Sequence, residues 1–270
     1  MTSLSLANFF ERLGHRVVHT ESSYWHDVHR HFYLSFPYHR LVNPSTDELN
    51  RFYPRLHAGL RYFGSPESPG HLSYAFICQD RHYDLDLISS NTRSKIRRGL
   101  KHCTVEQLEP KYVRACGKAV NDDTLRRIRI QEPYPWETYW QAVEESDCVE
   151  VWGALIGKDL VAYLVAVLVE KCCEIWVARS LSNSFRFYPN NALLFAVVRN
   201  MLSRPEIEQV WFGAESLEDV SSTDQFKLSM GFVKAPIRQR VVFHPLLRPA
   251  LHNSLVIRTV SWLAGSQHQN

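Results

Sequence analysis

No apolar run in this chain is long enough to cross a bilayer. The longest, 160–169, has ten residues where a spanning helix needs about twenty. Cysteine is sparse, with six in 270 residues and no C-x-x-C pair. Cys172 and Cys173 are neighbours in an expected strand and so point to opposite faces, and the set reads as buried free thiols of a reducing compartment. No charged-then-apolar leader opens the sequence, because Phe9 and Phe10 run straight into Glu11, Arg12 and His15. The expectation is a cytoplasmic protein without a transmembrane segment. There is no G-x-S-x-G, Walker A or Rossmann glycine pattern, which removes the commonest hydrolase, NTPase and dehydrogenase classes. Nor is there a large charge of either sign. The balance of 31 basic against 28 acidic residues leaves a net +3, too weak to imply a DNA partner.

What is present is an ordinary globular composition, 45% apolar and 22% charged, over a length that fits one large or two small domains. The chain divides into a smaller unit at 1–88, a basic connecting helix at 89–102, a main domain at 103–245 and a tail at 246–270. In the first unit, 3–13 forms a short amphipathic helix and 33–36 a strand closed by Pro37. Ser45 caps a helix with an acidic first turn that runs towards His57. The clearest loop is GSPESPG at 64–70, followed by a buried strand at 72–78. His26, His29 and His31 suggest a metal set, but no cysteine or carboxylate group completes it, and no metal site is expected.

The main domain reads as a strand at 104–108, helices at 111–130 and 136–145, then strands at 149–156, 160–169 and 172–179. Apolar on both faces apart from Tyr163, 160–169 must be a central strand. A helix opened by Pro189, a strand at 209–213, a short helical segment at 222–231 and a last strand at 239–244 complete the order. Three antiparallel strands, a helix, a strand, a helix and a strand resemble the layout of the GNAT acyltransferase superfamily. That implies an α/β fold with a mixed, largely antiparallel central sheet flanked by helices, preceded here by a reduced GNAT-like unit.

Three segments carry candidate chemistry. The loop SLSNSFRFY at 180–188 brings Arg186, Tyr188, Asn190 and Asn191 to a helix N-terminus, where free N–H groups favour an anion. Glu215 follows the strand that ends at Gly213, and Lys227 lies on the short helix after it. A carboxylate there can take a proton from an amine, and an ammonium can hold a phosphate or a developing oxyanion. The basic helix sets Arg93, Arg97 and Lys101 on one face with Arg98 beside them and Ile96 and Leu100 opposite. Read on spacing alone, the loop fits a solvated turn as well as a site, and Glu215, Lys227 and the basic helix fit an ordinary solvated surface better.

The run NTRSKIRRGLK at 91–101, the start RFYPNNALL at 186–194, and QFK at 225–227 with MGF at 230–232 resemble the motifs of Fem-like proteins. These are GNAT-fold relatives of the peptidoglycan bridge-forming aminoacyltransferases. The matches span about 90–245, and YLSFPYHR at 33–40 is compatible with the family's first half. The resemblance implies an acyltransferase moving an acyl or aminoacyl group to the amine of a cell-wall or polysaccharide-related substrate, nucleotide- or lipid-linked, with tRNA as a possible partner. It places Lys227 near the transfer site, with Glu215 and Tyr188 as the other catalytic candidates. Arg93, Arg97, Arg98, Arg186, Asn190 and Asn191 are then the candidate phosphate contacts. The donor stays open between aminoacyl-tRNA and acetyl-CoA or another acyl-CoA. The glycine-free stretch from 158 to 212 lacks the spaced glycines that let a backbone wrap a pyrophosphate. A non-catalytic binding module for an anionic glycan or RNA is the remaining alternative.

Overall fold

The computed structural model describes residues 1–28, 32–52, 58–215 and 222–245. The tail at 246–270, two of the three histidines named above and the stretch 53–57, into which the helix capped by Ser45 is expected to run, lie outside them. Helices α1 (Ser3–Arg12), α2 (Thr46–Asn50), α3 (Ser90–His102), α4 (Pro110–Cys116), α5 (Lys118–Ile128), α6 (Trp136–Glu144), α7 (Pro189–Ser203) and α8 (Ser222–Ser229) flank one mixed sheet. Its strands are β1 (Val17–His19), β2 (Tyr24–Val28), β3 (Phe32–Phe36), β4 (Gly59–Gly64), β5 (His71–Cys78), β6 (Thr104–Leu108), β7 (Val149–Ile156), β8 (Asp159–Val169), β9 (Cys172–Ser180), β10 (Gln209–Ala214) and β11 (Val233–Phe243). In space they run β1-β2-β3-β4-β11-β5-β10-β9-β8-β7-β6. The late strand β11 therefore lies between the two early strands β4 and β5, and the sheet passes from the first part of the chain to the second without a break. Among the described residues no helix is long and apolar enough to cross a membrane.

β8 shows why the sheet needs a cover on both sides. Ala162, Leu164, Ala166 and Leu168 join a cluster with α3 and α7, while Tyr163, Val165, Val167 and Val169 join another with α1, α4, α5 and α6. A side chain of this kind contributes about 1.5–3 kcal/mol when fully buried, so neither face of the strand tolerates water. α7 is buried almost all round (Leu193, Leu194, Phe195, Val197, Val198, Met201), as its sequence requires. Cys172 and Cys173 face opposite clusters, and all six cysteines are free thiols. The Ser45 cap is a complete capping box with Glu48.

Three boundaries differ from the sequence reading. The single helix expected at 111–130 is two, α4 and α5, divided at Gly117, where a Cβ would stand 2.6 Å from the Val113 carbonyl oxygen. The last strand starts at Val233 rather than 239 and so includes Pro236. Pro236 precedes Arg238, the first β11 residue paired with β4, so it sits where one flank of the strand is open and no second ladder is interrupted. On α3 it is Thr92, Ile96 and Gly99 that turn inward, whereas Leu100 is exposed.

Gly99 fixes how α3 lies on α7. A Cβ there would meet the Tyr188 carbonyl oxygen at 2.7 Å and the Ala192 Cβ at 2.8 Å. We predict that Gly99→Val destabilises the protein by about 1–3 kcal/mol through overpacking, despite valine's better helix propensity. Urea unfolding of the variant checks this, and an unchanged midpoint would show that α3 does not pack as closely as described.

Candidate functional site

β9 and β10 are parallel neighbours, but their pairing covers only Cys172–Glu174 against Gln209–Trp211. Beyond that point β9 runs on beside β8 to Ser180 and β10 beside β5 to Ala214 without pairing with each other, so the sheet forks. β9 also bends here. Ile175 stands opposite Ala166 and Val177 opposite Val165, which leaves Trp176 as an extra residue, a β-bulge. On the other arm, β10 breaks register with β5 between Trp211 and Ala214, and Gly213 takes a left-handed backbone (φ 77°) open only to glycine at low cost.

On the α7 side of the fork stands Lys227. Its ammonium is buried, 4.5 Å from the centre of the Phe76 ring and 5.4 Å from that of Phe212, and it donates to Asp224 at 3.2 Å. Burial lowers its pKa from the ordinary lysine value, while Asp224 and then Glu215 pull it back up. Glu215, at the end of β10, is bonded through its N–H to the Tyr74 carbonyl, and its carboxylate forms an ion pair with Lys234 of β11. Two lysines, each paired with a carboxylate, thus meet over the Phe76 ring where the strands part.

The basic helix packs beside them. Arg97, Arg98 and Lys101 are exposed, while Arg93 turns inward and donates to the Ile88 carbonyl at 3.0 Å. Arg98 and Lys95 sit over the Tyr188 ring at 5.6 and 6.0 Å. Tyr188 itself is left-handed (φ 54°) and precedes the first turn of α7. Asn190 donates to the Ser180 hydroxyl at 2.9 Å and Asn191 reaches the Met230 sulfur at 3.5 Å, so both side chains brace α7 rather than extend outward. Arg186 is exposed and stacks on Phe187. The structure brings Lys227 and Glu215 together, and it gathers Lys95, Arg98 and Tyr188 at the α3–α7 contact.

The other side of the fork holds residues that the sequence reading did not single out. Glu174, fully buried, accepts from the backbone N–H and the Nδ1 of His39, both at 2.8 Å, and from Trp176 Nε1 at 2.8 Å. Tyr38 packs on Trp176 at 5.3 Å and its hydroxyl lies 3.0 Å from His26 Nε2. Burial, then Tyr134 and Glu174, raise the Tyr38 pKa well above the phenol value. Arg61 is buried nearby and donates to Gln239, which donates in turn to Ser73. Burial lowers the Arg61 pKa to about 10, against the pull of Tyr38. A cleft of about 630 Å³ opens at the α5–α6 connection, lined by Glu132, Tyr134 and Trp136. Tyr134 is joined to Asp27 through His15. Among the described residues no three His, Cys, Asp or Glu side chains form a metal set.

Sequence comparison finds no matching family model and no matching protein with a curated description. Solved structures do match. L-PGS from Bacillus licheniformis superposes with a TM-score of 0.64 at 13% identity, covering 99% of this chain and 97% of its own. The C-terminal domain of a putative lysylphosphatidylglycerol synthetase from Agrobacterium fabrum gives 0.63 at 12% identity, covering 88% and 87%. FemX gives 0.61 at 11% identity, covering 90% and 92%. This chain has the GNAT fold. The resemblance to Fem-like proteins drawn from the sequence holds at the level of architecture.

Lys227 gives a test of the site's electrostatics. Because its folded pKa is lowered, the unfolded chain binds its proton more tightly, and wild-type stability must rise with pH between the folded value and the ordinary value of 10.5. Lys227→Met lacks that rise. The stability of the variant relative to wild type should therefore fall as pH climbs from 7 towards 10.5 in urea titrations. A pH-independent difference would mean that the lysine is not buried as a cation.

Proposed function

We propose that this protein is an acyltransferase that moves an aminoacyl or related acyl group from an activated ester to an amine. The observation that carries the reading is the fork. Parting two parallel strands next to a bulge leaves main-chain groups without cross-strand partners in a site walled by aromatic rings, the setting in which N–H donors hold a tetrahedral oxyanion. Lys227 stands at the α7 side of the fork as the added positive charge. Glu215, tied to Lys234, sets the local field there and is the candidate carboxylate from the sequence.

Three features favour an ester donor on a nucleic-acid end over coenzyme A. The segment that would wrap a pyrophosphate has no glycine, and the first turn of α7 has α3 against it at Gly99. Arg93, Lys95, Arg97, Arg98, Lys101 and Arg186 make no ion pair among the described residues, although the chain forms ion pairs elsewhere on its surface. Such a stripe suits a phosphodiester chain, with Arg93 held back by its carbonyl contact. Finally, proteins of the same fold include one named for joining lysine to a phospholipid and one named FemX. The acceptor is a cell-wall or polysaccharide-related amine under this reading.

Donor turnover followed by mass spectrometry tests it, with an aminoacyl-tRNA, a 3′-aminoacyl adenosine and acetyl-CoA offered alongside UDP-linked sugar peptides. We expect the acyl group to leave the ester donors and the acceptor to gain its mass. Lys227→Ala should lower kcat by about 10²–10³ with KM little changed, the loss seen when an oxyanion contact is removed. Added salt should weaken use of the aminoacyl-tRNA much more than that of the adenosine ester, because only the former releases counterions. Consumption of acetyl-CoA alone would replace this reading with an ordinary acetyltransferase, and turnover of no donor would reject it.

A further inference from the structure

The fork has a second set of polar groups on the side away from Lys227, and its geometry is that of a base held by a carboxylate. Glu174 is the last β9 residue in register with β10, so its side chain leaves the sheet at the point where the strands part. It is fully buried, and its partner His39 keeps only a small exposed edge, 8% of its side chain. A carboxylate can only accept, so the 2.8 Å contact from His39 Nδ1 places the ring proton on Nδ1 and the lone pair on Nε2. The His39 backbone N–H reaches the same Glu174 oxygen, and Trp176, the bulged residue, holds the other one. The carboxylate is thus fixed by three N–H donors and cannot swing away from the imidazole. Nε2 makes no hydrogen bond among the described residues, and it is not among the polar atoms sealed from solvent without a partner.

We propose that His39 is the general base of the acyl transfer, with Glu174 as the residue that sets its tautomer and orientation. The inference rests on the acyltransferase reading and adds the group that handles the proton. The acceptor nitrogen forms its bond to the donor carbonyl carbon while its N–H proton passes to Nε2. The tetrahedral intermediate then breaks its C–O bond, and Nε2–H returns the proton to the departing ribose oxygen. Amine and ester enter, amide and alcohol leave, and the imidazole ends as it began. The arrangement also divides the labour between the two sides of the fork, with a cation for the oxyanion on one and a base for the nucleophile on the other.

Two measurements on the full chain test this. The first is the rate at which diethyl pyrocarbonate modifies each of the 13 histidines, read by peptide mass spectrometry. His39 should react faster than its small exposure suggests, and Glu174→Gln, which removes the negative charge that holds the imidazole, should slow it more than about tenfold. The second is turnover of the aminoacyl-adenosine ester. His39→Ala should lower kcat by about 10²–10⁴ with KM nearly unchanged, and added imidazole should restore part of the loss. His39→Gln serves where the alanine variant does not fold. Turnover by the His39 variants within about threefold of wild type overturns the proposal, as does an unreactive His39 that is indifferent to Glu174→Gln. If the wild type uses no ester donor, the acyltransferase reading fails and takes the base with it. A fast-reacting His39 would then still mark the dyad as real, so the two failures are told apart.

Discussion

The short parallel pairing of β9 with β10 is the constraint on which the rest of the site depends. A sheet strand satisfies its main chain through both neighbours, and giving up one of them inside a protein leaves buried polar groups that cost free energy. Here the ladder stops after three registered pairs, and everything around the gap answers to that fact. The bulge at Trp176 turns β9 away, Gly213 permits β10 to turn in its own direction, and β5 and β11 continue the sheet on the far side. A fork of this kind would close or fill unless the flanking elements held it open, and the dense packing of α7 on one face and of Tyr38, Trp176 and Phe10 on the other does so.

The charges beside the gap are costly to bury and are arranged so that each has an answer. Lys227 has Asp224 and two aromatic faces, Glu174 has three N–H donors, and Arg61 has Gln239. Replacing a buried charge together with its partner by well-packed apolar residues is often no less stable, so stability alone does not account for such a concentration. Glu174 stands at the last registered pair of β9 and β10, and Lys227 lies against the Phe212 ring of β10, a concentration of buried charge of the kind that marks reactive sites.

Much of the frame was legible in the sequence. The two-sided burial of β8, the apolar α7 and the Ser45 cap each follow from local patterns that only one structure satisfies. What was hidden is non-local. The place of β11 between β4 and β5 depends on partners roughly 160–180 positions away along the chain. Arg61 and Glu174 look in sequence like the polar members of alternating strands, and only the second layer makes them interior. The termination of the β9–β10 ladder leaves no trace in either strand, since Trp176 continues the apolar run as any sheet residue would. His39 lay within YLSFPYHR, the stretch that carried the weakest part of the family resemblance, and nothing local tied it to Glu174, 135 positions away. Lys227 came from a motif and Glu215 from its place after a strand, and the structure brings their charges close enough to act on each other.

The thiols decide between two forms that the proposed transfer can take. A covalent acyl-enzyme needs a nucleophile at the fork, and the nearest reactive side chains by type are Cys172 and Cys173 on β9. Both are fully buried, and burial raises both thiol pKa values, with Glu174 pushing Cys172 higher still. A thiol held protonated in this way is a poor nucleophile. Lys227 is committed to Asp224 and its rings, and the imidazole of His39 is oriented as a base. The geometry therefore favours direct attack by the acceptor on the donor, which requires both to be bound at once. In the proposed transfer, donor phosphates along α3 and an acceptor passing Tyr38 and His39 would reach the gap from opposite faces of the sheet. A forked sheet, unlike a pocket on one face, lets two substrates meet without competing for the same wall.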